Sequence, residues 1–419
     1  MSAKDASKRF DNMMHLFNQE SFAVCFHELD GRKAVGADGV TKVQYGRHLE
    51  RNLEELVERM KRKAYRPGPV REVRIPKAGK VGATRTLGIS NLEDKLVQGM
   101  VRKVLEAIYE PLFLDCSYGF RPGRGPHDAV RALHQHLYRN EVESVIDVDI
   151  AGYFDSIDQS RLLEMLSEKI ADRGFLRYLV RLFKAGVLSQ GELRSSDEGV
   201  VQGSACSPVL ANIFAHYVID EWFEKTVKRH CAGQVVLYRY ADDVVICCRY
   251  ERDGERIRKA LTSRLARFGL SLNEAKTRMV SFRRPGRNSH VRQPVFEFLG
   301  FTFYWGRSRR GYPIPKVKTS SARLRAKLVA LAAWAKAVHS RYPLGRFWAV
   351  FCAKIRGHVR YYGVTFNTRA LSMFVYQAMR IVYKWLNRRS QRRSFTWETF
   401  RRFVDRHRLP RQAVYHALY

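Results

Sequence analysis

The sequence predicts a mixed α+β fold of two or three subdomains that ends in a basic, helical region, and three observations lead there. At 419 residues and 45% hydrophobic, the chain can bury a sizeable core and divide. Helix-period and strand-period patterns alternate along it. Its charge is lopsided: 75 Lys+Arg against 41 Asp+Glu give +34, of which residues 301–419, with 26 basic and 2 acidic side chains (Glu398 and Asp405), carry +24.

The elements follow in order. Leu49, Leu53, Leu56, Val57 and Met60 recur at helical spacing within 47–63, and Tyr65-Arg66-Pro67-Gly68-Pro69 ends that helix. Val70–Ile75 alternates like a strand and leads into the basic turn Pro76–Lys80. Asn91 suits the cap of a helix running to Tyr109. Ser144–Ile150 is a β-branched run, and Val235–Cys248 is two apolar runs around Ala241-Asp242-Asp243, the pattern of a hairpin with carboxylates at its tip. Leu324, Leu328, Leu331 and Val338 mark one face of a helix over 320–338, and 370–387 and 396–404 read as further helices. The charge balance changes near Leu299–Gly306, which sets the main boundary there.

A strong positive field favours a polyanionic partner: nucleic acid, an anionic membrane surface, or ribosome-like packing. Apolar runs such as Leu328–Ala335 fall far short of the ~20 residues needed to span a bilayer. Met1–Asn18 is charged throughout and has no signal-peptide core. Trp, Tyr and Phe interleave with the C-terminal cations, which favours nucleic acid. Cys25, Cys116, Cys206, Cys231, Cys247, Cys248 and Cys352 form no CxxC pair and no zinc spacing with His. They read as reduced thiols of a cytoplasmic protein, nucleoid-associated when it acts on DNA.

The chemistry centres on carboxylates inside apolar runs. Asp149 ends one strand, and Asp242 and Asp243 sit between Tyr240 and Val244 in another. Buried acids need a partner or a metal, and adjacent ones raise each other's pKa. Two Mg²⁺ ions, with Mn²⁺ able to substitute, would relieve the repulsion and support in-line phosphoryl displacement. The plain alternative is a solvent-exposed Asp-Asp turn.

Tyr240-Ala241-Asp242-Asp243 matches the signature tetrapeptide of reverse transcriptases. Asp147-Val148-Asp149-Ile150-Ala151-Gly152-Tyr153-Phe154-Asp155 resembles their first catalytic motif. The resemblance implies that Asp149, Asp242, Asp243 and the Ile150 carbonyl bind the metals. It also implies that Phe154, which by itself could be a core aromatic, blocks a ribose 2′-hydroxyl. Gln202-Gly203-Ser204-Ala205-Cys206-Ser207-Pro208 resembles the motif lying against the incoming nucleotide, beside Tyr240. Asn273-Glu274-Ala275-Lys276-Thr277 resembles the one whose Lys acts as general acid near the leaving pyrophosphate. Lys77 and Arg85 match the cations that hold the triphosphate, and Phe298-Leu299-Gly300 resembles the primer grip. Val201, where the family usually has Pro, and Ala205-Cys206 depart from the pattern.

Gly36-Ala37-Asp38-Gly39-Val40, Tyr65-Arg66-Pro67, Ser117–Arg124, Gly357–Gly363 and Trp385–Gln391 are similar to segments of group II intron reverse transcriptase/maturases. The resemblance covers residues from about 30 onward. It implies a right-hand polymerase: an N-terminal extension (1–70), fingers and an antiparallel-sheet palm (71–300), and a basic α-helical thumb or maturase domain X (301–419). The expected partners are a group II intron RNA whose splicing it assists, an RNA template with DNA primer, and dNTPs. Arg121, Arg124, Arg323, Arg325, Lys327, Arg356, Arg388 and Arg389 are the expected nucleic-acid contacts. The resemblance is to a short form, without the endonuclease domain of longer members. The rival readings are a free-standing relative serving DNA repair or phage defence, and a non-catalytic RNA chaperone, which the intact Asp149, Asp242 and Asp243 argue against.

Overall fold

The computed structural model describes residues 5, 7–76, 84–189, 192–194, 199–200, 203–289, 291, 293–389 and 394–419. Three helices come first: α1 (Gln19–Glu28), α2 (Lys42–Gly46) and α3 (Leu49–Lys61). Strands β1 (Val70–Pro76) and β2 (Thr84–Ile89) follow, then α4 (Leu92–Tyr109), α5 (Pro126–Arg139) and β3 (Ser144–Asp149). Helices α6 (Gln159–Lys169) and α7 (Arg173–Phe183) lead to the short β4 (Val187–Ser189) and β5 (Glu192–Arg194). Next are α8 (Ser207–Ala215), β6 (Val235–Tyr240), β7 (Asp243–Cys248), α9 (Glu251–Ala266) and β8 (Arg278–Ser281). Strands β9 (Phe296–Phe298), β10 (Phe301–Arg307) and β11 (Pro313–Thr319) precede α10 (Ser321–Val338), α11 (Leu344–Tyr362), α12 (Thr368–Leu386) and α13 (Trp397–Arg406). The strands form three sheets, in the orders β2-β1-β4-β5, β6-β7-β3-β8 and β11-β10-β9.

The chain divides into two compact units. The first holds the described residues of 5–76, 84–125 and 148–279, and the second holds 126–147 and the described residues of 280–419. In the first, α3 turns Leu53, Leu56, Val57 and Met60 inward, and Lys63 at φ +57° terminates it. Asn91 stands at the N-cap of α4 as expected, but its side chain does not cap: Asn91 Oδ1 accepts the Asp38 N–H (3.3 Å) instead. β6 and β7 form the expected hairpin, Val235 opposite Cys248 through Tyr240 opposite Asp243. Helix α8 runs on through two π turns, His216–Asp220 and Phe223–Val227.

In the second unit, β10 pairs with β11 from Phe301↔Thr319 to Arg307↔Pro313. β9 and β10 meet at a two-residue turn whose central residues, Leu299 (φ +52°) and Gly300 (φ +78°), both have positive φ, the pattern of a type I′ hairpin. Phe347, Trp348, Phe351, Ile355 and Val359 of α11 and Phe374, Val375, Ala378, Val382 and Leu386 of α12 form a core with Leu331 of α10 and Phe400 of α13.

Two sequence expectations change. The division falls at 279/280 rather than near 300, and 126–147 join the second unit. The region 301–419 is also not all helical, since it begins with β10 and β11. Charge composition marked a change of surface, whereas Phe296, Phe298, Phe301, Phe303 and Val317, all buried, decide where the packing changes. Among the described residues no helix is long and apolar enough to cross a membrane. All seven cysteines are free; Cys116 and Cys231 are partly buried and the rest buried.

Candidate active site

Asp149 is the last residue of β3, behind the buried Val145, Ile146 and Val148. The chain just past it is tied to 271–277: Ala151 N–H donates to the Ser271 carbonyl (2.9 Å) and Asn273 N–H to the Asp149 carbonyl (2.8 Å). Asp149 N–H donates to Thr277 Oγ1 (3.3 Å). Lys276 and Thr277 N–H both donate to the Asn273 carbonyl (3.0 and 2.8 Å), a tight turn that brings Lys276 Nζ to 2.5 Å from Asp149 Oδ2. Ile150, with its side chain buried, bridges to Leu272.

Tyr240 pairs with Asp243, so Ala241 and Asp242 form the two-residue turn between β6 and β7. Ala241 sits at φ +55°, which costs an L-residue about 1–2 kcal/mol. Burial raises the Asp242 carboxyl above the usual range; the negative charge of Asp149 raises it further, and a backbone hydrogen bond, Arg85 and Lys276 oppose this. Asp149, Asp242, Lys276 and Arg85 therefore share one electrostatic environment. Asp243 differs, being exposed at the start of β7.

A carboxylate held above its usual range beside a second carboxylate is a donor that a divalent cation relieves. Among the described residues no cluster of three or more His, Cys, Asp or Glu is drawn together for a metal. Mg²⁺ does not require one, because it takes one or two carboxylates and completes its shell with water and substrate phosphate.

Phe154 lies half-buried in a single 3₁₀ turn, Tyr153–Asp155, opened by Gly152 at φ +53°. Tyr153, not Phe154, is the core aromatic here: it is 2% exposed and its hydroxyl donates to the Ala211 carbonyl (2.6 Å). Gly203, at φ +107°, passes so close to β2 that a Cβ would stand 2.5 Å from the Gly88 carbonyl oxygen. The Tyr240 ring leans on Phe120, with centroids 6.2 Å apart. Lys77 and Gln202, and the departure at Val201, lie outside the described residues. In the second unit, Phe298, Leu299 and Gly300 make the β9–β10 turn, where Tyr361 Oη donates to the Leu299 carbonyl (2.9 Å).

One expected nucleic-acid contact is corrected. Arg121 is buried, its guanidinium spent on Glu110 (2.7 Å) and on the Leu114 and Ser117 carbonyls (2.8 and 3.0 Å), so it fastens a loop. Arg389 is half-buried and donates to the Tyr342 carbonyl (2.9 Å). Arg124 is half-buried beside Asp115 (2.5 Å). Arg323, Arg325, Lys327, Arg356 and Arg388 are exposed. Sequence reasoning passed over Arg239, which is fully buried two residues before the turn. Its signal was visible as a cation inside the run Val235–Tyr240.

Residues 75–303 match the model of the family described as reverse transcriptase (RNA-dependent DNA polymerase). The chain is 34% identical over 209 residues to an uncharacterized 91 kDa protein in a cob intron of Schizosaccharomyces pombe, covering 50% of this chain and 25% of that protein. It is 32% identical over 240 residues to Protein YkfC of Escherichia coli, covering 56% and 61%. It is 32% identical over 202 residues to the group II intron-encoded protein LtrA of Lactococcus lactis subsp. cremoris, covering 48% and 33%. The chain thus spans less than two thirds of the length of each of these relatives.

Proposed function

Because the chain belongs to the reverse transcriptase (RNA-dependent DNA polymerase) family, we propose that it copies RNA into DNA. The observation that carries this reading is the meeting of Asp149 and Asp242 with Lys276 and Arg85 at the ends of β3 and the β6–β7 hairpin. Asp149, Asp242, Asp243 and the Ile150 carbonyl would hold two Mg²⁺ ions, with Mn²⁺ able to substitute. When bound, such ions lower the pKa of a primer 3′-hydroxyl and stabilise the leaving oxygen.

The protein's own residues do the rest. Arg85, with Lys77, neutralises the incoming triphosphate. Phe154 and Tyr240, with Gln202 and Gly203, bound the sugar and base. Lys276 offers an acidic N–H for the leaving pyrophosphate. In this reading β1 and β2 belong to the fingers, β3 and β6–β8 to the palm, and α10–α13 to the thumb. Phe298, Leu299 and Gly300 grip the primer.

The partner RNA is a group II intron RNA whose splicing the protein assists. Support for this comes from the similarity to LtrA, a group II intron-encoded protein, and from the exposed cations Arg323, Arg325, Lys327, Arg356 and Arg388. An A-form helix is read by shape and 2′-hydroxyls, so selectivity would come from loops and tertiary form.

Primer extension on an RNA template with Mg²⁺ and dNTPs tests the polymerase. Extension by the wild type, abolished in Asp149→Asn and Asp242→Asn variants that still fold, is the expected result. A folded wild type that binds the duplex and adds no nucleotide would overturn the reading.

A further inference from the structure

Among the described residues, Arg239 heads the fully buried side chains in size. All five of its guanidinium N–H groups are spent. Nε and Nη2 hold Asp220 bidentately (2.7 and 2.5 Å), and Nη2 also donates to Ser117 Oγ (2.7 Å). Nη1 donates to Asn212 Oδ1 (3.0 Å) and to the carbonyl oxygen of Ala241 (3.3 Å). Asp220, also fully buried, closes the first π turn beyond α8. Residues 116–119 are pinned along the hairpin by Arg239 N–H to the Cys116 carbonyl and Tyr118 N–H to the Arg239 carbonyl (both 2.8 Å). Asn212 Nδ2 donates to the Gly119 carbonyl (2.6 Å). Gly119 then passes so close to the turn that a Cβ would stand 2.4 Å from the Ala241 nitrogen.

A buried ion pair is a poor stabiliser, often no better than apolar side chains of the same volume. Apolar side chains, however, could not donate to the Ala241 carbonyl. That carbonyl belongs to the peptide joining Ala241, held at φ +55°, to Asp242. We infer that the Arg239–Asp220 pair, with Asn212 and Ser117, is a positioning device that locks this peptide and so aims the Asp242 carboxylate. Asp220 cancels the guanidinium charge, so the device orients the turn without adding a cation to the site. Ser117 and Asn212 fix the fork sideways, and Gly119 packs closely on the preceding Tyr240–Ala241 peptide. The inference rests on the polymerase reading for its catalytic consequence, and on the geometry alone for its mechanical one.

The test uses the full chain with Arg239→Lys, which keeps a countercharge for Asp220 but cannot serve five acceptors, alongside the milder Ser117→Ala and Asn212→Ser. In the metal-free protein, hydrogen exchange at the Ala241 and Asp242 amides should rise about tenfold, the equivalent of one lost hydrogen bond. In primer extension, kcat should fall about 10–100-fold. The KM for dNTP should stay within about threefold, since that split marks lost transition-state stabilisation rather than lost substrate binding. Half-saturating Mg²⁺ should rise. If Arg239→Lys does not fold, the other two variants carry the test, with smaller effects in the same direction. Unchanged exchange at 241–242, or activity that returns fully on cooling with an unaltered Mg²⁺ requirement, would overturn the inference and leave a purely structural ion pair. A wild type without extension activity would remove the polymerase reading, while the exchange measurement would still decide whether the turn is locked.

Discussion

The two units handle charge in opposite ways. The first buries ions: Arg239 with Asp220, Arg121 beside Glu110, and Asp94 beneath the Tyr65 hydroxyl (2.6 Å). In the second, among the described residues, the buried polar side chains are His134, Ser144, Thr302, Thr319, Ser320, His358 and Asn367, none of them Asp, Glu, Lys or Arg. Composition explains the difference. The second unit, with 32 cations and 7 anions in 126–147 and 280–419, has little countercharge to spare for its interior. Its cations must stay in water, and its interior polarity must come from neutral groups. Balanced charge therefore permits buried electrostatic networks, and lopsided charge forbids them.

The comparison breaks first at Asp220. Asp220→Ala leaves Arg239 buried and unpaired, and should cost about 3–5 kcal/mol in chemical denaturation. A loss below about 1 kcal/mol would mean that the first unit does not depend on its internal ions.

The units should also respond to pH with opposite sign. Burial raises the Asp94 carboxyl to about 6, so its favourable contribution is complete below the unfolded value of 3.8 and lost as pH rises through 6. Asp94→Asn keeps one acceptor oxygen for the Tyr65 hydroxyl and turns its amide toward the Gly68 N–H, a cost that does not vary with pH, so between pH 4 and pH 7 it should gain about 3 kcal/mol on the wild type. That gain should vanish below pH 4 in melting curves. Burial lowers His358, stacked on Phe374 at 3.5 Å, to about 3, so its contribution is present above 6.5 and lost as pH falls. His358→Phe should protect the second unit by about 2 kcal/mol at pH 5 and do little at pH 8. Parallel pH responses in the two variants would dissolve the contrast.

The smallest effect is a control. Thr41 and Thr396 each close a capping box, one in each unit. Thr→Ala at either should cost about 1 kcal/mol, because a cap is local and indifferent to the charge around it.

The hairpin 235–248 was readable because two apolar runs flank two acids, and helix α3 because its apolar face repeats over three turns. Helix α11 escaped, although Phe347, Trp348, Phe351, Cys352, Ile355 and Val359 lie at helical spacing, because Gly357 falls inside the pattern and weakens the helical signal. Within the candidate site the carboxylates could be named, but not what orients them. Arg239 and Asp220 are 19 positions apart, one on a strand and one on a π turn. Only the fold brings them together. Arg121 failed for the same reason: a motif marks an arginine without saying whether it faces water or a carboxylate.

The thiols divide as unevenly as the charges. Cys352 is the second unit's single cysteine, and the other six belong to the first. Burial pushes Cys206 up to about 11 and raises Cys25, Cys116, Cys231, Cys247 and Cys352 as well, which leaves little reactive thiolate at neutral pH. Alkylation of the native chain is then gated by local opening, and each modified cysteine, located by peptide mass, dates the opening of its own unit. One reagent, with no introduced label, can clock the two units separately.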